Sequence, residues 1–266
     1  MGRVAVIGDV GGHADQLRWA LEWLGAGAGR LPSDLTVIQV GDLVDRGPDS
    51  TGALDVVARL LDEQPDRWIQ LVGNHEAQYL PGGTVFWPDP VEVCDVERLR
   101  AWWADGRLRV ATAVRTGDGE ELLVTHVGLT LAGWQWLGEP TSAVRAAESL
   151  DRRPELIWRM GEHARDEQAG PLWAESGAAL HEPWMGYVGV VPFGQVHGHS
   201  TVVAFGEERW RCTGRVRQRA SVDWQARHVR VRVGGRVFTG VDPGHGRTGA
   251  TRWQPLVFDA ATVVST

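Results

Sequence analysis

The sequence predicts an α/β fold with a parallel sheet, on two observations. Strand-like and helix-like segments alternate through the first eighty residues, a pattern typical of βαβ units. Each of the three strand-like segments is followed by a polar motif, in which Asp9, Asp42 and Asn74 are the chemically distinctive side chains. Because sites on parallel sheets form at the carboxyl ends of the strands, we expect these three side chains to converge.

The individual elements follow from hydrophobic spacing. Short apolar runs predict strands, and apolar residues repeating every three or four positions predict helices. Ser50 stands at the start of the second helix, where a hydroxyl side chain is a favourable N-cap. In chain order, the strands and helices predicted for this region are 4–7, 14–24, 35–40, 50–61 and 68–72.

The pattern is looser after residue 79. The Gly/Pro-rich segment 81–90 predicts an inserted loop, and Gly117-Asp118-Gly119 predicts the turn of a hairpin. No internal repeat or linker divides the chain, so we expect one domain over residues 1–266. The later predicted helices are 96–103, 141–150 and 154–163, and the later predicted strands are 109–114, 121–125, 202–205, 214–222, 228–233, 236–241 and 256–258.

The composition is that of a globular protein and disfavours several functional classes. Hydrophobic residues make up 43% and charged residues 23% of the 266 positions, and no apolar run has the length of a membrane span. The formal net charge of −7 disfavours nucleic acid as the main partner. Two Cys are too few for a disulfide framework, and the N-terminal segment lacks a signal-peptide pattern. We therefore expect a cytoplasmic protein that has no membrane partner.

Carboxylate, amide and imidazole groups at strand ends predict a binuclear metal centre. Asp42 is the natural bridging ligand because a carboxylate has two oxygens, with Asp9 as a terminal ligand and Asn74 as an amide ligand. His126 and His199 each follow a later apolar strand and can complete the coordination. Oxygen and imidazole donors without thiolates suit Mn, Fe, Zn or Ni. We expect two divalent metal ions, with Mn²⁺ favoured.

The residues beside these ligands indicate the reaction. Two metal ions lower the pKa of a bridging water and hold phosphoryl oxygens for in-line attack. His75 adjoins a ligand without being one, and it is placed to protonate the leaving oxygen while Asp45 orients its ring. Arg46 can clamp phosphate oxygens with its planar guanidinium. The prediction rests on the co-occurrence of these motifs in this order, because a single Asp or His carries little weight.

These motifs resemble those of the calcineurin-like metallophosphoesterase superfamily, in its phosphoprotein phosphatase branch. The stretch Gly47-Pro48-Asp49-Ser50, which extends the motif at 41–47, is similar to that of bacterial members. These members include symmetrical diadenosine tetraphosphate hydrolases and related serine/threonine phosphatases. The resemblance is specific over the first eighty residues. Beyond them, only short separate motifs around His126 and His199 support it. The stretches that carry it are Gly8-Asp9-Val10-Gly11-Gly12, 41–47, Gly73-Asn74-His75-Glu76, His126-Val127-Gly128 and Gly198-His199.

The resemblance implies a four-layer α/β/β/α sandwich. It also implies that Asp9 and Asp42 hold one metal ion. The second ion would share Asp42 with three further ligands, which are Asn74, His126 and His199. The substrates that it implies are a phosphorylated small molecule, a nucleotide or a phosphoprotein.

The chain departs from the family at Gly11, where relatives carry a metal-binding His. Three outcomes remain open: the first metal binds more weakly with water in the gap, His13 replaces the missing ligand, or only one metal is held and activity is low or lost. Glycine at this position also lets backbone or substrate approach closely. The family implies a further phosphate-binding Arg, for which Arg159 is the candidate.

Hypotheses from different functional classes follow. The first is an enzyme that hydrolyses a phosphate ester or phosphoanhydride by a metal-bridging hydroxide, with His75 as leaving-group acid. The alternative is a weakened or inactive metal- and phosphate-binding member, because Gly11 replaces a ligand. A nuclease fits the metals but not the negative net charge. Four further histidines lack any motif context and are expected to be structural or exposed: His163, His181, His228 and His245.

Overall fold

The structure, a computed structural model, describes residues 2–162, 166–245 and 252–264. Within these ranges one large mixed sheet dominates the fold, with a separate two-stranded ribbon. The strands are β1 (Gly2–Ile7), β2 (Leu35–Gln39), β3 (Trp68–Leu71), β4 (Leu108–Arg109), β5 (Ala111–Arg115), β6 (Glu121–Thr125), β7 (Gly194–His197), β8 (Val203–Ala204), β9 (Arg209–Trp210), β10 (Ala220–Asp223), β11 (His228–Val233), β12 (Arg236–Gly240) and β13 (Leu256–Val263).

Mostly short helices connect these strands. Single turns of 3₁₀ helix lie at Pro154–Trp158 and Phe205–Glu207, and a π-helical turn lies at Ser176–His181. The α-helices are α1 (Ala14–Trp23), α2 (Ser50–Glu63), α3 (Asn74–Ala77), α4 (Val93–Ala104), α5 (Leu131–Trp136), α6 (Ala143–Asp151), α7 (Glu182–Gly186) and α8 (Gly214–Arg217).

The large sheet consists of two halves that meet at β13. In the first half, β1 to β4 run parallel to their neighbours. In the second half, β5, β6, β7, β12, β11 and β10 form a mixed ladder. β13 pairs antiparallel with β1, where Leu256 lies opposite Val6, and then antiparallel with β5, where Thr262 lies opposite Arg115. One strand therefore joins the two halves.

Alternating side chains show that the two halves pack face to face. On β1, Val4 and Val6 belong to a buried cluster with Val124 of β6 and Val196 of β7. The intervening Ala5 belongs to the cluster formed with the helices, because successive side chains of a strand point to opposite faces. Helix α2 packs on β3, and α6 packs on β5 and β6. The predicted four-layer α/β/β/α fold class is confirmed.

Most predicted elements of the first eighty residues are present, with small shifts at their ends. The helix predicted over 50–61 runs over Ser50–Glu63, for example, and the strand predicted over 35–40 runs over Leu35–Gln39. Across the described ranges, no helix combines the length and apolarity needed to cross a membrane. The single domain over 1–266 stays a prediction.

The second helix begins differently from the prediction. Asp49 is the N-cap, because its carboxylate accepts a hydrogen bond from the Gly52 N–H at 2.8 Å. The hydroxyl of Ser50 instead accepts from the backbone N–H of Asp45 at 2.9 Å. A carboxylate and a hydroxyl are both favourable N-caps. Here the hydroxyl supports the loop that carries Asp45.

The strand predicted over 109–114 is two strands that lie in opposite halves of the sheet. Arg109 ends β4 beside β3, whereas Ala111 begins β5 beside β6. The Asp151 carboxylate accepts from the N–H groups of Val110 at 2.8 Å and Ala111 at 3.1 Å, and from the Arg109 guanidinium at 2.9 Å. This side chain, distant in the chain, stabilises the crossing. The segment 214–222 similarly begins as α8 and becomes strand only at β10.

The buried ring of His181 predicts a loss of stability in acid. Burial lowers the pKa of His181 well below its ordinary value, so the ring is neutral in the folded protein and titrates normally in the unfolded chain. Below about pH 6.5 the unfolded chain therefore binds more protons, and such a group removes up to about 1.4 kcal/mol of stability per pH unit.

We expect His181→Phe to flatten the fall in unfolding free energy as the pH falls below about 6.5. Urea unfolding of both proteins across this range checks the slope. A slope equal to that of the wild type would contradict the prediction.

Candidate metal centre

The predicted metal ligands lie where strands of both halves end. Asp9 follows β1, Asp42 follows β2 and Asn74 follows β3, all at the carboxyl edge of the first half. His126 directly follows β6, and His199 lies two residues beyond β7 in the second half. Because the two halves face each other, these strand ends bring side chains from both halves to one edge.

Four of the predicted ligands converge. The His126 Nε2 lies 3.1 Å from Asn74 Oδ1 and 3.1 Å from His199 Nδ1. Asn74 Oδ1 and His199 Nδ1 are 3.0 Å apart, and Asp42 Oδ1 lies 3.4 Å from His126 Nε2. Within the described part of the chain, Asp42, His126 and His199 are the one group of at least three His, Cys or acidic residues whose ligand atoms all lie within 4.8 Å.

The hydrogen bonds of these rings fit a metal ion between them. The Val40 carbonyl can only accept, so the His126 Nδ1 at 2.9 Å carries the proton. In the neutral ring, Nε2 then presents a lone pair to the Asn74 oxygen and the His199 nitrogen. Burial lowers the pKa of His126, and it lowers that of His199 to about 3. A cation would satisfy these lone pairs together with Asp42 Oδ2, which is buried without a hydrogen-bond partner among the described residues.

Asp9 lies beside the cluster, next to other carboxylates, and a backbone hydrogen bond connects it to His199. Its carboxylate accepts from the His199 N–H at 2.9 Å. Gly198 permits this approach, because a Cβ there would lie 2.1 Å from Asp9 Oδ1. Burial raises the pKa of Asp9 well above its ordinary value, and the charges of Asp242 and Asp42 raise it further. A bound cation relieves such crowding of carboxylates, so Asp9 also fits a metal-binding role.

Four site residues adopt a left-handed backbone conformation. Their φ angles are 54° at Asp42, 68° at Asp45, 61° at Arg46 and 63° at His199. Positive φ at a residue other than glycine costs of order 1–3 kcal/mol and persists only where the surrounding structure enforces it. Such residues cluster at functional sites, which is where these four are found.

Glu76 connects the two strand ends that carry Asp42 and Asn74. Its buried carboxylate accepts from the backbone N–H groups of Asp42 at 2.8 Å, Leu43 at 2.7 Å and Gly73 at 2.8 Å. Burial, followed by the charge of Asp42, raises the pKa of Glu76 to about 7 despite these donors. Glu76 had no predicted role, although its place in the GNHE motif was a signal.

The structure brings His75, Asp45 and Arg46 together. The His75 Nδ1 donates to Asp45 Oδ2 at 2.6 Å, and Arg46 Nη2 donates to His75 Nε2 at 3.1 Å. Asp45 also accepts from the Gln78 side chain at 2.7 Å and from the Tyr79 hydroxyl at 3.1 Å. Sequence reasoning missed both of these partners, which follow the GNHE motif directly.

Two carboxylates beside His75 favour its protonated form, whereas the Arg46 guanidinium, which donates to Nε2 in this structure, opposes it. Burial alone would lower the pKa of His75, but the carboxylates of Asp42 and Asp45 outweigh it and raise the pKa. Asp42 Oδ2 lies 4.0 Å from the His75 Nε2. A raised pKa is what an acid for a leaving oxygen needs near neutral pH.

Two aromatic residues of the loop 81–90 cover His75. The ring centroids of Phe86 and Trp87 lie 5.1 and 5.0 Å from that of His75, both edge to face. The Arg46 guanidinium lies 5.4 Å from the centre of the Trp87 ring. This segment was predicted only to be an inserted loop, with no connection to the site.

A cleft of about 440 Å³ opens beside the centre. Its lining includes Arg46 and, unforeseen from the sequence, Arg211 and Asp242. No motif marks Arg211, and Asp242 had no predicted role in the site. Arg159, the sequence-based candidate for a further phosphate ligand, lies in a separate pocket, with its guanidinium 5.9 Å from the Trp136 ring. Arg211 therefore replaces Arg159 as the second guanidinium beside the centre.

Five of the six remaining histidines divide into three cases. His13 lies at the start of α1, and its ring packs against that of His245 with centroids 4.6 Å apart. His181 is buried in the core, and His228 donates to a backbone carbonyl at 2.8 Å. His163 lies outside the described residues.

Comparison with known proteins agrees with this fold. The profile of the calcineurin-like phosphoesterase family matches residues 2–203. The chain therefore belongs to the calcineurin-like phosphoesterase family. Membership confirms the predicted superfamily and the predicted class of enzyme, a phosphatase that hydrolyses phosphate esters. No curated protein matches the chain.

Solved structures align with the chain at low sequence identity. A cold-active protein tyrosine phosphatase superposes with a TM-score of 0.50 at 16% identity, over 92% of this chain and 72% of that one. A metallophosphoesterase from Sphaerobacter thermophilus has a TM-score of 0.46 at 16% identity, over 98% and 86% of the two chains. A serine/threonine phosphatase from Saccharomyces cerevisiae with similarity to human phosphatase PP5 has a TM-score of 0.36 at 22% identity, over 50% of this chain and 42% of that one. At these identities the likeness concerns the fold alone.

The contacts of Glu76 predict that Glu76→Gln destabilises the protein. The amide retains one acceptor oxygen but turns a donor towards backbone N–H groups, which leaves buried donors unpaired at a cost of about 1–3 kcal/mol. Urea unfolding of the metal-free protein measures the loss. The matched control is Glu97→Gln on the exposed face of α4, which should change stability by less than about 0.5 kcal/mol. Equal effects of the two substitutions would contradict the prediction.

Proposed function

We propose that this protein is a phosphatase that uses two divalent metal ions to hydrolyse a phosphate ester or phosphoanhydride. The proposal rests on the convergence of Asp42, His126 and His199 beside the hydrogen-bonded pair of His75 and Asp45. Oxygen and imidazole donors suit Mn²⁺, with Fe, Zn or Ni as alternatives. When bound, such ions lower the pKa of a water molecule and hold phosphoryl oxygens.

His75 acts as the acid for the leaving oxygen. The attacking water gives up one proton to solvent, its oxygen forms the new bond to phosphorus while the bond to the leaving oxygen breaks, and the proton of His75 neutralises the leaving oxygen. Because Asp45 holds Nδ1, the proton is delivered from Nε2. Nε2 accepts from Arg46 in this structure, so Arg46 must turn towards the substrate before Nε2 is protonated. Binding of the phosphate group by Arg46 therefore frees the His75 Nε2 to carry the proton that the leaving oxygen needs.

The charges of the cleft favour a compact phosphate group as the substrate. Arg46 and Arg211 both line it, and a guanidinium can bind two phosphate oxygens in one plane. The acidic side chains of the cleft and the net charge of −7 disfavour an extended nucleic acid. We therefore propose a phosphorylated small molecule, a nucleotide or a phosphoprotein as the substrate.

We expect Asp42→Asn to abolish Mn²⁺-dependent hydrolysis of 4-nitrophenyl phosphate. The amide lacks the charge and the second anionic oxygen of a bridging ligand. Removing a residue that only hydrogen-bonds to a metal ligand already lowers metal affinity or activity roughly 10–100-fold. We expect a larger loss of kcat/KM here. The assay uses metal-stripped protein to which Mn²⁺ is added back.

The matched control for this substitution is Asp66→Asn, which replaces an exposed carboxylate and should leave turnover unchanged. Activity of Asp42→Asn equal to that of the control would contradict the mechanism. Absence of metal-dependent turnover in the wild type, with this and other phosphate esters, would favour the alternative of an inactive metal-binding protein.

The role of His75 predicts a dependence on the leaving group. General acid catalysis contributes about 10²–10⁴-fold, and its contribution grows as the leaving oxygen becomes more basic. His75→Asn should therefore lower kcat strongly for an alkyl phosphate and less for 4-nitrophenyl phosphate. A uniform decrease across a series of leaving groups would show that His75 acts by positioning the site and not as the acid.

A further inference from the structure

The leaving group of the substrate must lie beside the Nε2 of His75. Under the proposed function this nitrogen delivers a proton to the leaving oxygen, which requires about 2.6–3.2 Å between the two atoms. In this structure Arg46 Nη2 occupies such a place, 3.1 Å from Nε2. When Arg46 turns towards the phosphate, the leaving oxygen takes the place that the guanidinium has left. The surroundings of this guanidinium therefore indicate what the leaving group would touch.

Aromatic rings lie against that place. The guanidinium carbon of Arg46 is 5.4 Å from the centre of the Trp87 ring, within the roughly 6 Å over which a guanidinium contacts an aromatic face. Phe86 and Trp87 both pack on the ring of His75, and the Trp173 ring lies 5.6 Å from that of Phe86. These three side chains, Phe86, Trp87 and Trp173, form an aromatic wall beside the acid.

A ligand can reach the aromatic wall. Phe86 is 42% exposed and its neighbour Val85 is 53% exposed, while Trp87 and Trp173 are partly exposed. Apolar residues that are exposed singly need no explanation. Here two adjacent ones adjoin the acid of the proposed reaction, and an apolar group bound against them would remove their surface from water, which is favourable.

The loop that carries Phe86 and Trp87 is tied to the carboxylate that orients His75. The side-chain oxygen of Gln78 accepts from the backbone N–H groups of Phe86 and Trp87, both at 3.0 Å. The amide nitrogen of Gln78 donates to Asp45 Oδ2 at 2.7 Å, the same oxygen that accepts from His75 Nδ1. The two rings and the acid therefore share one support.

A second connection supports the end of the same loop. The Tyr79 hydroxyl accepts from the backbone N–H of Val91 at 3.2 Å and donates to Asp45 Oδ1 at 3.1 Å. Both oxygens of Asp45 thus hold side chains that fix this loop. A surface that is positioned before the ligand arrives binds it with a smaller loss of conformational entropy, so the wall has the character of a preformed subsite.

The chemistry of the wall favours a flat aromatic group. Aromatic rings attract one another in offset and edge-to-face contacts, beyond the gain from the apolar area that they bury. The Trp173 N–H already donates to the Ile157 carbonyl at 2.9 Å, so it is not available to a ligand. A leaving group rich in hydroxyl groups would lose hydrogen bonds to water against these ring faces.

We propose that Phe86 and Trp87 form the subsite for the leaving group, and that the substrate is a phosphate ester with an aromatic ring at, or one carbon beyond, its leaving oxygen. The inference rests on the proposed function and deepens it by naming the substrate class. Gln78 and Tyr79 are positioning residues, because they hold the loop against the acid.

Benzyl phosphate and cyclohexylmethyl phosphate test the proposal as a pair. Both release a primary alcohol of similar basicity, so they differ mainly in the flat or puckered ring. We expect the wild type with Mn²⁺ to prefer benzyl phosphate by about tenfold in kcat/KM. Phe86→Leu and Trp87→Leu keep an apolar side chain but remove a ring, and each should move this ratio towards one. The wild-type ratio decides the question even if a variant folds poorly.

The matched control is Trp136→Leu, which should keep the wild-type ratio. Trp136 is also exposed, at 44%, and also lies beneath a guanidinium, that of Arg153 at 4.8 Å, but it lines a separate pocket. A wild type without preference would overturn the proposal, and so would a preference that survives both loop substitutions. If 4-nitrophenyl phosphate were then still hydrolysed with Mn²⁺, the proposed function would stand without this subsite. A wild type that hydrolyses no phosphate ester would overturn both.

Discussion

The buried carboxylate of Glu76 is the contact on which the metal centre depends. Backbone donors from two neighbouring strand ends meet on its oxygens, so these ends are fixed relative to each other without any bound ion. Asp42 and Asn74 take their positions from this contact, and His75 follows Asn74 on the same helical turn. The left-handed backbone at Asp42 is stable because its N–H is tied to this carboxylate. The site is thus positioned by main-chain hydrogen bonds more than by contacts among the ligands.

The first half of the fold could be predicted because the residue patterns that determine it lie within single strands and helices that follow one another along the chain. Strand–helix alternation determines a parallel sheet, and a parallel sheet brings successive carboxyl ends to one edge. Asp9, Asp42 and Asn74 therefore needed only a position after a strand to be placed together. His126 and His199 were harder, because they lie in the second half and reach the same edge only through the packing of the two halves.

Several features that the sequence did not reveal depend on side chains from other segments of the chain. The break between β4 and β5 is stabilised by Asp151, and the cover over His75 is built by Phe86 and Trp87 from a segment without periodicity. Arg211 carries no motif and reaches the cleft beside the short ribbon of β8 and β9. Neither periodicity nor capping rules report such contacts, because both describe neighbours along one element.

The place of β13 between β1 and β5 has a consequence for how the centre is completed during synthesis. This strand is the last described along the chain, yet it joins the half that carries Asp9 and Asp42 to the half that carries His126 and His199. While a ribosome still holds residues 256–263, the two halves lack their shared strand. Pairings between such distant segments also form slowly. We expect metal uptake to follow the emergence of β13 from the ribosome, so that a nascent chain carries the first strands of the centre well before the centre is complete.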